Sequence, residues 1–125
     1  MFKILLAIGT GSFIGGVARY ITGRAIQMSI DSAFPLGTLV VNMTGCFFIG
    51  VLFGMTEKGQ LMNSEWRLFL TVGLCGGFTT FSTYTLENMA LLKDGNLLYF
   101  FSYTSVSVLF GLACTWVGYF TTKLI

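Results

Sequence analysis

Charge is excluded from four long stretches of this chain: Ile4 to Ala18, Ser32 to Thr56, Leu68 to Leu86 and Gly95 to Thr122. A helix of about 20 residues rises ~30 Å, enough to cross the hydrocarbon core of a bilayer. The pattern predicts four transmembrane helices near 3–26, 36–56, 66–92 and 97–121. A backbone inside lipid finds no water, so single chains cross as helices or as closed barrels. The strict alternation of a barrel strand is missing from these runs, which leaves helices.

The breaks between runs carry polar punctuation. Segment 27–35 holds Asp31 and ends in Pro35, a residue suited to the first turn of the second span. Segment 57–65 holds Glu57, Lys58, Gly59, Asn63 and Glu65, and Ser64 is the expected N-cap of the third span. Lys93-Asp-Gly-Asn96 is a turn signal. The first run, preceded by Lys3, has the look of a signal peptide. Arg19 follows it without a convincing small-x-small cleavage site, so it is read as a span. One domain, 1–125, is expected.

Composition agrees. Of 125 residues, 54% are hydrophobic and 10% charged, against roughly 25% charged in ordinary proteins. So few polar residues cannot cover a water-soluble globule. The chain has no histidine, which removes imidazole nucleophile pairs, histidine-ligated zinc and an imidazole proton relay together. Cys46, Cys75 and Cys114 lie far apart in apolar runs and are read as small packing residues. A net charge of +2 offers no surface for nucleic acid. Nothing in the sequence favours an enzyme.

Lysine and arginine in the connections set orientation. Lys3, Lys58, Arg67 and Lys123 fall on one side, and Arg19, Arg24 and Lys93 on the other. So small a bias is compatible with one weakly preferred orientation or with insertion both ways and antiparallel pairing. Small residues recur at four-residue spacing: Ala7, Gly11 and Gly15; Gly50 and Gly54; Gly73 and Gly77. They let helix backbones approach closely, within one subunit or between two.

The most unusual stretch runs from Gly73 to Thr85, where Gly76-Gly77 is followed by Thr79-Thr80 in mid-span. Glycines and hydroxyl residues propagate a helix poorly. A break is therefore expected, with its freed backbone groups satisfied by protein or by a wet cavity. Unwound carbonyls at that depth are a way to hold a cation. A polar track accompanies the break: Thr38 and Asn42 at i,i+4 on the second span, Tyr103 and Ser107 at i,i+4 on the fourth, and Phe81 and Tyr84 one turn apart. Amide and hydroxyl donors, with aromatic rings positive at their edges, suit an anion better than a cation. No ring of acids is present to draw cations.

Gly-Gly-Val-Ala-Arg19-Tyr, Pro35-Leu-Gly-Thr-Leu-Val-Val-Asn42-Met-Thr-Gly45 and Gly76-Gly-Phe-Thr-Thr-Phe81-Ser-Thr-Tyr-Thr-Leu-Glu87 together resemble the Fluc (CrcB) family of bacterial fluoride channels, over essentially the whole chain. The resemblance implies an all-α membrane protein with four transmembrane helices and a break in the third, paired as an antiparallel, dual-topology homodimer in the bacterial inner membrane. It implies two fluoride pores and a structural sodium ion (Na+) on the two-fold axis, held by backbone carbonyls at the positions of Gly76 and Thr79. Phe81 matches the first pore phenylalanine, Asn42 the pore asparagine, and Tyr103 and Ser107 the polar positions of the last helix. Tyr84 stands where the family has a second phenylalanine. Thr38 joins the same track, and Arg19 becomes a candidate for a vestibule or interface role. Glu87, past the aromatic pair, is open to two readings, a functional candidate as an acid within a span or a shallow and merely solvated group, and no proton-carrying role is assigned to it. The competing reading is a small multidrug-type proton antiporter, another four-helix dual-topology dimer. It needs a carboxylate in the drug pocket, typically on the first span, and this first span has none; a third reading, a non-transporting membrane assembly subunit, has no use for the dense mid-span hydroxyls.

Overall fold

The computed structural model describes residues 1–61 and 63–125. Among the described residues, three helices are long and apolar enough to cross a membrane: α1 (Phe2–Met28), α2 (Leu36–Glu57) and α6 (Leu97–Lys123). Between α2 and α6 lies a composite rod. It consists of α3 (Ser64–Leu68), a π-helical segment Phe69–Cys75, the single turn α4 (Gly76–Phe78), and α5 (Ser82–Lys93) beyond an interruption at 79–81. The break is thus where the glycines and threonines predict it, and a π-helical stretch leads into it. The boundaries of the long helices extend those read from the sequence by up to two residues.

The caps explain the boundaries. Pro35 is the N-cap of α2. The composite rod starts on Asn63, not on Ser64: the Asn63 side chain accepts from the N–H groups of Glu65 (2.9 Å) and Trp66 (3.2 Å). An amide oxygen is at least as good a cap as a hydroxyl, and Ser64 becomes the first helical residue. Gly95 takes φ +74° in the turn before α6, where a side chain would be strained. At the far end of α6 the Lys58 ammonium donates to the carbonyls of Thr122 and Ile125, and Lys123 pairs with Glu57 at 3.8 Å. These contacts tie the C-terminal ends of α2 and α6 together.

Backbone meets backbone along two seams. A Cβ on Gly11 would lie 2.6 Å from the Phe69 carbonyl oxygen, and one on Gly77 2.7 Å from that of Ser12. Gly15 and Gly73 are equally tight, so α1 lies directly on the composite rod. Gly50 abuts the Thr115 carbonyl, Gly54 the Thr122 side chain, and Gly118 the Phe47 carbonyl, which joins α2 to α6. The four-residue glycine spacing therefore serves packing within the subunit at these positions. Large apolar side chains point outward instead: Phe13, Leu98 and Leu112 are exposed, while Val41 and Tyr103 are fully buried. Lipid is as apolar as leucine, so such a bundle holds together by close packing and hydrogen bonds. The chain is an all-α, multi-pass membrane protein.

Candidate functional site

In an unbroken helix the Thr80 N–H would donate to Gly76 and the Phe81 N–H to Gly77. Side chains from two other helices replace one half of each bond, serving the Thr80 N–H and the Gly77 carbonyl. Asn42 of α2 accepts from the Thr80 N–H (2.8 Å) and donates through Nδ2 to the Thr80 carbonyl (3.0 Å). Arg19 of α1 donates through Nε to the Gly77 carbonyl (3.3 Å). Thr79 is extended (φ −83°, ψ 159°), and its hydroxyl and its N–H both donate to the Cys75 carbonyl at 3.0 Å. The Thr83 N–H goes to the Thr80 hydroxyl (3.2 Å) instead of to Thr79. Among the described residues, no hydrogen bond reaches the carbonyls of Gly76 and Thr79. Such a pair fits a hard, oxygen-seeking cation, and Gly76 lies on the exposed side of the subunit.

A second cluster surrounds Glu87. Its carboxylate accepts from the Thr38 hydroxyl of α2 and the Tyr103 hydroxyl of α6, each at 2.9 Å. Glu87 is half-buried and bound, which excludes the merely solvated one of its two sequence readings. Its signal in the sequence is that of any acid at the edge of an apolar run. Two of the track's donors thus point at a carboxylate, a partner that donor counting along the spans does not supply.

Aromatic rings connect the two clusters. Phe81 and Tyr84 sit 5.6 Å apart between centroids, Tyr84 and Tyr103 5.1 Å, and Tyr103 and Phe34 5.6 Å with planes at 70°. Tyr103 is fully buried, while Phe81, at the N-cap of α5, is 76% exposed in the single subunit.

Two cavities flank the break. One, of about 360 Å³, is lined by Asn42, Thr79, Phe81, Tyr84 and Ser107. The other, of about 250 Å³, is lined by Arg19, Arg24, Thr38, Thr80 and Glu87. The sequence-predicted residues thus separate: Phe81, Tyr84, Asn42 and Ser107 face the first cavity, Thr38 and Arg19 the second. Tyr103 joins them through its ring and hydroxyl. Thr80, absent from the expected set, lines both and carries both Asn42 bonds.

Residues 6–119 match the model of a family described as CrcB-like protein, Camphor Resistance (CrcB). The chain belongs to the CrcB family. It is 41% identical over 123 residues to the fluoride-specific ion channel FluC of Chlorobium phaeobacteroides (strain BS1), covering 98% of this chain and 95% of that protein. A protein of the same name from Flavobacterium psychrophilum is 40% identical over 97% of this chain and 98% of its own length. Another, from Chlorobaculum tepidum, is 42% identical over 99% and 98%. These CrcB-family relatives carry the name of an ion channel, not of an enzyme.

Proposed function

We propose that this protein is a fluoride channel that lets the anion leave the cytoplasm passively and so relieves fluoride toxicity. The observation that carries the reading is the broken helix with hydrogen-bond donors and aromatic rings around it, in a family whose named relatives are fluoride-specific channels. Fluoride is small and tightly hydrated, so a pore must replace its water shell with many close donors. Asn42 keeps one N–H beyond the bond to Thr80, and Ser107 and Tyr84 add hydroxyl-bearing side chains to the cavity that Phe81 also lines. Thr38 and Tyr103 flank this path, their hydroxyl protons held by the Glu87 carboxylate. Hydrogen fluoride crosses membranes as a neutral acid and ionises in a less acidic cytoplasm; an inside-negative potential then drives the trapped anion out.

The composite rod serves as the third of four crossings in this reading, and two chains pair antiparallel in the bacterial inner membrane to form two pores. The 76% exposure of Phe81 and the near-even split of basic residues support that pairing. Gly76 and Thr79, whose carbonyls accept no hydrogen bond, would hold a structural sodium ion between the subunits. When bound, that ion supplies fixed positive charge beside an anion path.

Purified protein in potassium-loaded liposomes tests the function. Fluoride efflux, read by electrode, is expected once valinomycin shunts the potential, with no proton gradient required. Transport that depends on a pH gradient would instead establish an antiporter, and absence of flux would refute the channel. Cysteines added at both termini should label from both sides of the membrane; labelling from one side alone would overturn the antiparallel pairing.

A further inference from the structure

We infer that Arg19 is a positioning residue that keeps the third crossing broken, a role resting on the proposed pore and cation reading of that break. Ser12 and Gly15 lie against the backbone of Leu74 to Phe78, and Arg19 follows Gly15 by four residues, on the same face of α1. Where the glycine seam ends, the arginine continues it: Nε–H donates to the Gly77 carbonyl at 3.3 Å across 58 residues of sequence. That acceptor is the one the Phe81 N–H needs in order to rewind the helix. A carbonyl at this depth must have a partner, and Arg19 supplies one that does not come from the rod itself. The seam fixes the α1 backbone against the rod, which keeps Arg19 within reach of the Gly77 carbonyl. With Gly77 engaged by Arg19 and Thr80 by Asn42, the carbonyls of Gly76 and Thr79 stay unbonded. Glu87 lines the same cavity as Arg19, yet among the described residues the two form no ion pair. The guanidinium is thus held by the backbone of the break and not by the nearest acid.

The test uses the full chain in nanodiscs with Arg19→Met, which keeps an apolar stem and removes the donor, and Arg19→Gln, which retains a shorter N–H donor. Amide exchange at Phe81 reports rewinding, and the sodium dependence of thermal unfolding reports the Gly76 and Thr79 carbonyls. Arg19→Met is expected to slow Phe81 exchange about tenfold and to raise the sodium midpoint about tenfold, the scale of one hydrogen bond gained or lost. Arg19→Gln is expected to lie between Met and the parent in both readouts. Parental exchange and midpoint in Arg19→Met would overturn the inference, as would a loss of thermal stability with both unchanged. Should Arg19→Met fail to assemble, Arg19→Gln decides alone, and parental values in both readouts overturn the role. A parent whose unfolding ignores sodium sinks the cation reading of Gly76 and Thr79 only; exchange at Phe81 still decides on Arg19.

Discussion

Asn42→Leu offers the sharpest perturbation, because one side chain satisfies both backbone groups of Thr80. Leucine keeps the branch at Cγ, is somewhat larger, and has neither donor nor acceptor. Its introduction leaves the Thr80 N–H, now bonded at 2.8 Å, and the Thr80 carbonyl, bonded at 3.0 Å, without partners. Each buried group left unmet costs about 1–3 kcal/mol, so the broken geometry loses roughly 2–6 kcal/mol. The segment has a way to escape part of that penalty: Thr80 N–H can return to the Gly76 carbonyl and close the helix. At ~1.4 kcal/mol per decade, even the lower figure depopulates the open break more than tenfold. Fluoride efflux from liposomes should fall by at least about that factor. Loss of a pore donor alone would also lower flux, so the second measurement is amide exchange at Thr80. A side chain acting on the fluoride path alone leaves Thr80 exchange at the parental rate; loss of the clamp changes it. Parental flux, or reduced flux with unaltered Thr80 exchange, refutes the reasoning.

Three further outcomes are expected. Phe81→Ile should cut fluoride efflux severely while the protein still assembles, since the ring is largely exposed in one subunit and its loss opens no internal cavity; parental conduction would remove Phe81 from the path. Tyr103→Phe deletes a donor to the Glu87 carboxylate, a hydrogen bond worth about 1.5–3 kcal/mol to a charged group. It should lower both thermal stability and flux, and adding Glu87→Gln should restore part of the flux, read by electrode. Gly118→Ala drives a Cβ into the Phe47 carbonyl and should destabilise the α2–α6 pair by about 1–3 kcal/mol in a thermal melt, whereas Gly9→Ala, with nothing within 4 Å, should not.

The spans and the break were legible because both are local properties. An uncharged run announces a span by length, and Gly76-Gly77 before Thr79-Thr80 announces a weak helix by propensity. The partners of the break were not legible, because they depend on contacts across 58 residues for Arg19 and 38 for Asn42. Asn42 reads as a pore donor from its amide alone; only the packing of α2 against the rod reveals that both ends of that amide already hold Thr80. Glu87 reads two ways because it ends an uncharged run; that Thr38 and Tyr103 come from two other helices to bind it shows only in the packing. The helix start moved from Ser64 to Asn63 for a lesser reason: both are good caps, and the sequence alone does not choose between neighbours.

The seam between α1 and the composite rod also limits how this protein can change over generations. Gly11, Gly15, Gly73 and Gly77 each face main-chain atoms that have no rotamer with which to yield. Any single-base change to the first or second letter of a glycine codon encodes a residue with a Cβ or stops translation. These four sites therefore have no harmless missense step, and genetic drift should be channelled to the lipid-facing side of the same helix.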